Sequence, residues 1–145
     1  MAKSARQKQL DTLLRIRRLE EDLAKAALAS ANEATRAAQV RLESARELYT
    51  RTVVPPAEAQ LSDFRRHLAM ANSAAGMVRG AEHRREEATE AAEEARGKVL
   101  VARVKSQGLE RLVERVEAAR FAEMLAADQR TAEESRAGNR TKGSR

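Results

Sequence analysis

The sequence contains no cysteine and no tryptophan. Without a thiol there is no disulfide framework and no cysteine nucleophile, a composition that fits a reducing compartment. Aromatic residues make up 2% of the chain, and the only rings of size are Tyr49, Phe64 and Phe121. A thick core, an aromatic-lined ligand pocket and a base-stacking platform are therefore not expected. The two prolines, Pro55 and Pro56, are adjacent, so the chain has a single strong breaking point. No apolar run approaches the roughly 18 residues of a membrane span, and the polar, basic start from Met1 to Lys8 leads into no signal-like apolar stretch. A soluble, cytoplasmic protein is expected.

What is present is alanine, at about a fifth of the residues, together with 34% charged side chains, the balance of a long helix or coiled coil. From about Ala59 to Glu134 small or apolar residues recur at steps of three and four. One stripe reads Leu61, Phe64, Leu68, Ala71, Ala75, Val78, Ala81, Ala88, Ala91, Ala95, Val99 and Ala102, and continues after Ser106 as Leu109, Leu112, Val116 and Ala119. A period near 3.5 keeps such a stripe on one side of a helix that supercoils around a partner, and a helix of this extent would be roughly 110 Å long.

Ser4 and Gln7 have capping-box spacing, which predicts a first helix from about residue 5 to 51. Its opening stripe reads Leu13, Ile16, Leu19, Leu23 and Ala26, thins through Ala27, Ser30, Ala34 and Ala37, and recovers as Ala38, Leu42, Ala45 and Tyr49, with a stutter between. Residues 52–56 form the predicted linker. Pro56 suits the first position of a second helix, with Glu58 near its positive end, and that helix is predicted over residues 57–136. The expected fold class is all-α: two long helices forming an antiparallel coiled-coil hairpin, monomeric, the second helix longer than the first. A tight turn places Ala5 near Ser106, so the segment from Leu109 onward is expected to project beyond helix one. Gly76 and Gly80 have small-xxx-small spacing and are expected to pack closely against helix one. Gly138 and Asn139 resemble a helix cap, followed by a basic tail, residues 137–145, expected to be disordered.

The net charge of +6 raises the possibility of a nucleic-acid partner. Its excess, however, sits at the termini, and between them acids and bases alternate in favourable pairs such as Glu21–Lys25 and Glu94–Lys98. No specific nucleic-acid binding is expected. Asp63 and His67, one turn apart, lack a third metal ligand, His83 lies beside Arg84 and Arg85 on a charged face, and the tail Gly138 to Ser144 has the order of a phosphate loop wrong. No enzyme, metal site or cofactor is expected.

The segment Leu13-Leu14-Arg15-Ile16-Arg17-Arg18-Leu19-Glu20-Glu21, the proline-interrupted hairpin, Leu109-Glu110-Arg111-Leu112-Val113-Glu114-Arg115, and the charged end with Asp128-Gln129 and Glu133-Glu134 together resemble the flagellar FliJ family, over about Leu10 to Arg136. The resemblance implies a small component of flagellar type III protein export, similar to the central stalk of rotary ATPases. It would be cytoplasmic and associated peripherally with the cytoplasmic face of the membrane. Its partners would be the hexameric export ATPase ring, the cytoplasmic domain of the membrane export gate, and export chaperones. The gate contact implied by the family falls on Leu42, Ala45, Tyr49, Phe64, Leu68 and Ala71, with Ala45 small where the family can carry an aromatic. Two rings gathered near the linker, Tyr49 and Phe64, could equally form a plug that closes the hairpin. The ATPase contact would fall on Arg15, Arg17, Arg18, Leu109, Leu112, Val116 and Phe121, where a solvated face for the arginines is the alternative. Two other functions compete: a generic coiled-coil scaffold dimerising in parallel through the long helix, and a basic helical nucleic-acid-binding protein.

Overall fold

In a computed structural model, which describes residues 3–55, 57 and 60–143, the chain forms two helices, α1 (Ala5–Val53) and α2 (Leu61–Lys142), packed antiparallel as a hairpin with the second helix the longer. Pro56 and Glu58, expected to open helix two, lie outside the described residues. The capping box forms as its spacing predicts: Gln7 N–H donates to Ser4 Oγ at 3.3 Å, and Ser4 N–H donates to Gln7 Oε1 at 3.0 Å. At the far end α2 runs through Gly138 and Asn139 to Lys142, with Gly143 N–H donating to the Asn139 carbonyl at 3.2 Å. The expected cap and disordered tail are not found over residues 137–142, because no described residue there takes the left-handed conformation that ends a helix.

The helices divide into two compact units, residues 20–102 and residues 1–19 with 103–145. In the first, the α1 residues turned away from water include Glu21, Ala24, Leu28, Ala31, Thr35, Ala38, Leu42 and Ala45. Those of α2 include Ala71, Ala74, Val78, Ala81, Ala88, Ala92, Ala95, Val99 and Ala102. Both sets follow alternating steps of three and four, the α2 set passing over the exposed Arg85 between Ala81 and Ala88, the heptad of a two-helix seam. Among the described residues Leu42 is the one large side chain with no exposed surface. The Thr35 hydroxyl donates to the Ala31 carbonyl of its own helix at 3.0 Å and lies 3.2 Å from the Ala88 carbonyl across the seam. Arg46 reaches Glu82 at 3.4 Å, and Arg85 donates to Gln39 at 3.3 Å. Arg46 opposite Glu82 and Thr35 opposite Ala88 bracket the register, which puts Val53 level with about Ser73 at 1.5 Å per residue. The first three or so turns of α2, from Leu61, therefore run past the end of α1.

In the second unit the inward residues include Gln7, Leu10, Leu14 and Arg17 on α1, and Ser106, Leu109, Val113, Val116 and Arg120 on α2. Arg120 donates to Gln7 Oε1, so the capping glutamine of α1 is also held by α2. Arg18 pairs with Glu110 at 2.7 Å. Among the described residues beyond Arg120 only Met124 is half-buried, and the rest of α2, to Lys142, is exposed.

Three expectations are corrected. The opening stripe of α1 is not Leu13, Ile16, Leu19 and Leu23, which are all exposed, Leu23 by 70%. The buried stripe lies beside it and continues into Leu42 and Ala45 with no stutter. The Ala5–Ser106 register is replaced by pairing of Gln7 with Arg120, because α2 opens only at Leu61 and its first turns run past the end of α1. A Cβ added at Gly76 would meet only the Arg79 guanidinium of its own helix, at 3.9 Å, and one at Gly80 would meet nothing, so neither glycine packs closely against α1.

Candidate interaction surfaces

Side chains that could do chemistry are dispersed along the helices. Among the described residues no group of three or more His, Asp or Glu gathers as metal ligands. His67 is half-buried with its Nε2 enclosed and unpartnered, while Asp63 is exposed. His83 Nε2 lies 3.0 Å from Glu87 one turn on, both in solvent. Glu21–Lys25 and Glu94–Lys98 pair at 3.3 and 3.5 Å, as their spacing predicts. Near the start of α1 the Lys3 ammonium bonds Asp11 at 2.6 Å, and this hydrogen bond, reinforced by the carboxylate's charge, holds its pKa above the ordinary lysine value. No described helix is long and apolar enough to cross a membrane.

The six residues expected at the gate contact separate. Leu42 is enclosed in the seam, and Ala45 and Ala71 are half-buried. Tyr49, Phe64 and Leu68 are exposed, so neither ring closes the hairpin as a plug. Nor are the two rings gathered. Tyr49 is level with about Met77, and Phe64 lies about 20 Å further along α2, on the turns that run past α1.

Beside Ala45 the two helices leave an open groove of about 670 Å³, lined on α1 by Val40, Arg41, Ser44, Ala45 and Leu48 and on α2 by Ser73, Gly76, Met77, Gly80, Ala81 and Arg84. Its floor is shaped by the two glycines, which leave it open where a side chain would otherwise stand. The exposed methionine and leucine on its walls are apolar, and the two arginines add positive charge at its rim.

Of the residues expected to meet an ATPase, Arg15, Leu112 and Phe121 are exposed, whereas Leu109 and Val116 are half-buried in the seam. Arg17 is half-buried at a seam position, and Arg18 is engaged by Glu110. The projecting part of α2 starts past Arg120, about three turns later than expected, and carries Phe121 and Leu125 as its exposed apolar side chains. Val113, which the sequence reading passed over in favour of Leu112, is the inward residue. Counting heptads on from Val99 and Ser106 finds it.

No protein-family model matches the chain, and no curated protein and no solved structure matches it.

Proposed function

We propose that this chain is a non-enzymatic component of flagellar type III protein export, a stalk that couples the hexameric export ATPase to the membrane export gate and assists export chaperones. One observation carries the proposal: an antiparallel two-helix coiled coil whose second helix continues past the start of the first, leaving a single exposed helix from Phe121 to Lys142. A helix of that kind suits insertion into a ring pore, where a narrow, charged surface must meet several subunits in turn. The exposed Arg15, Leu112, Phe121 and Leu125 are the groups available to that partner. For the gate, the exposed Tyr49 near the end of α1, and Phe64 with Leu68 on the forward turns of α2, supply apolar anchors of the kind enriched at interface hot spots. The expected setting is the cytoplasmic face of the membrane.

The test is to add the purified chain to the export ATPase of its own source and to follow hydrolysis and ring assembly together. Both should rise, and removal of residues 122–145 should abolish the rise while leaving the hairpin folded. Separate elution of the two proteins, with no change in hydrolysis, refutes the stalk. A coiled-coil scaffold is the competing reading, favoured by the apolar stripe that α1 leaves in solvent.

A further inference from the structure

Among the described residues of the unit 20–102, the arginines that reach across the seam have acceptors: Arg46 lies on Glu82 and Arg85 on Gln39. Arg41 and Arg84 do not. Both line the open groove beside Ala45, one from each helix, and the contacts of Thr35 with Ala88 and of Arg46 with Glu82 bring them level to within about one turn. No Asp or Glu lines the groove. The residues one turn away from Arg41 are Ala37, Ala38, Ser44 and Ala45, and the acid one turn beyond Arg84, Glu87, is taken by His83 at 3.0 Å. Neither guanidinium has a hydrogen-bond or ion-pair partner among the described residues. Two like charges thus share one groove without a counter-charge, an arrangement that an anionic group set between them relieves.

The groove also has a direction. From Ser73 to Arg84 it extends about 17 Å along α2, the length of three helical turns. Arg41 and Arg84 stand at one end, and the exposed Leu48 and Met77 give the remainder apolar walls. Between them lies Gly80, where an added Cβ would meet nothing. A glycine there weakens the helix interior relative to alanine, and no contact within the hairpin offsets that cost, yet it lets another backbone come close. A bilayer is too flat to enter such a channel, and a nucleic acid needs more than two arginines to hold its phosphates. A short helix matches the groove in length and in pattern. We propose that the groove docks an amphipathic helix of a partner protein, apolar along one face and carrying carboxylates at the end that meets Arg41 and Arg84. This docking does not rest on the stalk proposal, and the two fail separately, since the test uses no export component.

Three turns of helix bury well under the roughly 1,200 Å² of a stable interface, so the affinity should be about 10–100 µM and should weaken with salt. The probe is a stapled, fluorescein-labelled helix of about 14 residues, with leucines along one face and a pair of glutamates at one end, read by fluorescence anisotropy against the whole chain. A twin with lysines in place of the glutamates should bind about tenfold more weakly. Arg41→Glu and Arg84→Glu should each lower affinity for the first peptide by about tenfold, and the two together should reverse the preference. Gly80→Leu fills the groove without meeting the hairpin, so it should abolish binding of both peptides while circular dichroism shows the helices intact. Should it unfold the chain, the two arginine reversals, at exposed positions, decide the matter alone.

Equal binding of the two peptides, binding that survives Gly80→Leu in a folded chain, or no binding of either peptide at about 1 mM overturns the proposal. So does a chain that sediments at twice 16.0 kDa and returns to monomer with Gly80→Leu, which gives the groove to a second copy. Pelleting with phosphatidylglycerol vesicles that needs Arg41 and Arg84, in place of peptide binding, gives it to a lipid surface and overturns the proposal equally.

Discussion

Leu42 and Leu23 are chemically identical and lie on the same helix, so truncating each in turn decides which stripe forms the hairpin. Leu42 has no exposed surface, whereas Leu23 keeps 70% of its own. Leu→Ala in a core removes the transfer free energy of the lost methyl groups and adds the cost of whatever cavity remains, about 2–5 kcal/mol. The seam here is one layer deep and open on both sides, so it can close partly around an alanine. The lower half of that range applies, about 2–3 kcal/mol. Leu23→Ala removes little buried area and gains slightly in helix propensity, so its effect should stay within about 0.5 kcal/mol. In a chain of this length the first change corresponds to a fall in Tm of roughly 6–10 °C and the second to almost none. Urea unfolding followed by circular dichroism at 222 nm separates the two. Equal losses from both variants, or a Leu42→Ala loss below about 0.5 kcal/mol, would refute the placement of the seam.

Two further substitutions probe the ends and the groove. Gln7→Ala removes the Oε1 that accepts from both Ser4 N–H and Arg120, while the Gln7 N–H bond to Ser4 Oγ survives, so it should cost about 1 kcal/mol, and Arg120→Ala in the same background should add little; full additivity of the two losses would sever the link. Gly80→Ala meets nothing in the hairpin and removes a helix-interior glycine, so it should stabilise α2 by about 0.5–1 kcal/mol in urea titration, and a destabilised variant would mean that the groove is closed.

The elements were legible because their signals are local. Ser4 with Gln7 marks the start of α1, and the alanine-rich heptads mark two long helices on either side of the proline pair. The side on which α1 packs was not legible, because its apolar arc is wide enough to hold two stripes. The richer one, Leu13, Ile16, Leu19 and Leu23, is the one left in water. The buried one passes through Gln7, Arg17, Glu21 and Thr35, which a hydrophobicity argument skips. Long charged side chains can occupy such positions by laying their apolar stems along the seam with their charged ends outside. Glu21 does so with Lys25 as its partner.

Register escaped the sequence for a different reason. Where alanine meets alanine, sliding one helix past the other by a heptad changes the buried area little, so the apolar pattern alone leaves several alignments close in energy. Polar groups separate them. Arg46 with Glu82 and Gln7 with Arg120 are each lost on a slip of seven residues in either direction, whereas Thr35 would meet another backbone carbonyl and Arg18 could meet Glu117. Exposed ion pairs of this kind contribute little stability singly, yet they need supply only the difference between near-equal alternatives. In this chain alanine makes the hairpin possible and the scattered polar pairs make it specific. The consequence for function is direct: the same register sets Leu61, Phe64 and Leu68 ahead of α1 and leaves α2 single from Phe121 on, so both candidate partner surfaces follow from contacts that no stripe of apolar residues reveals.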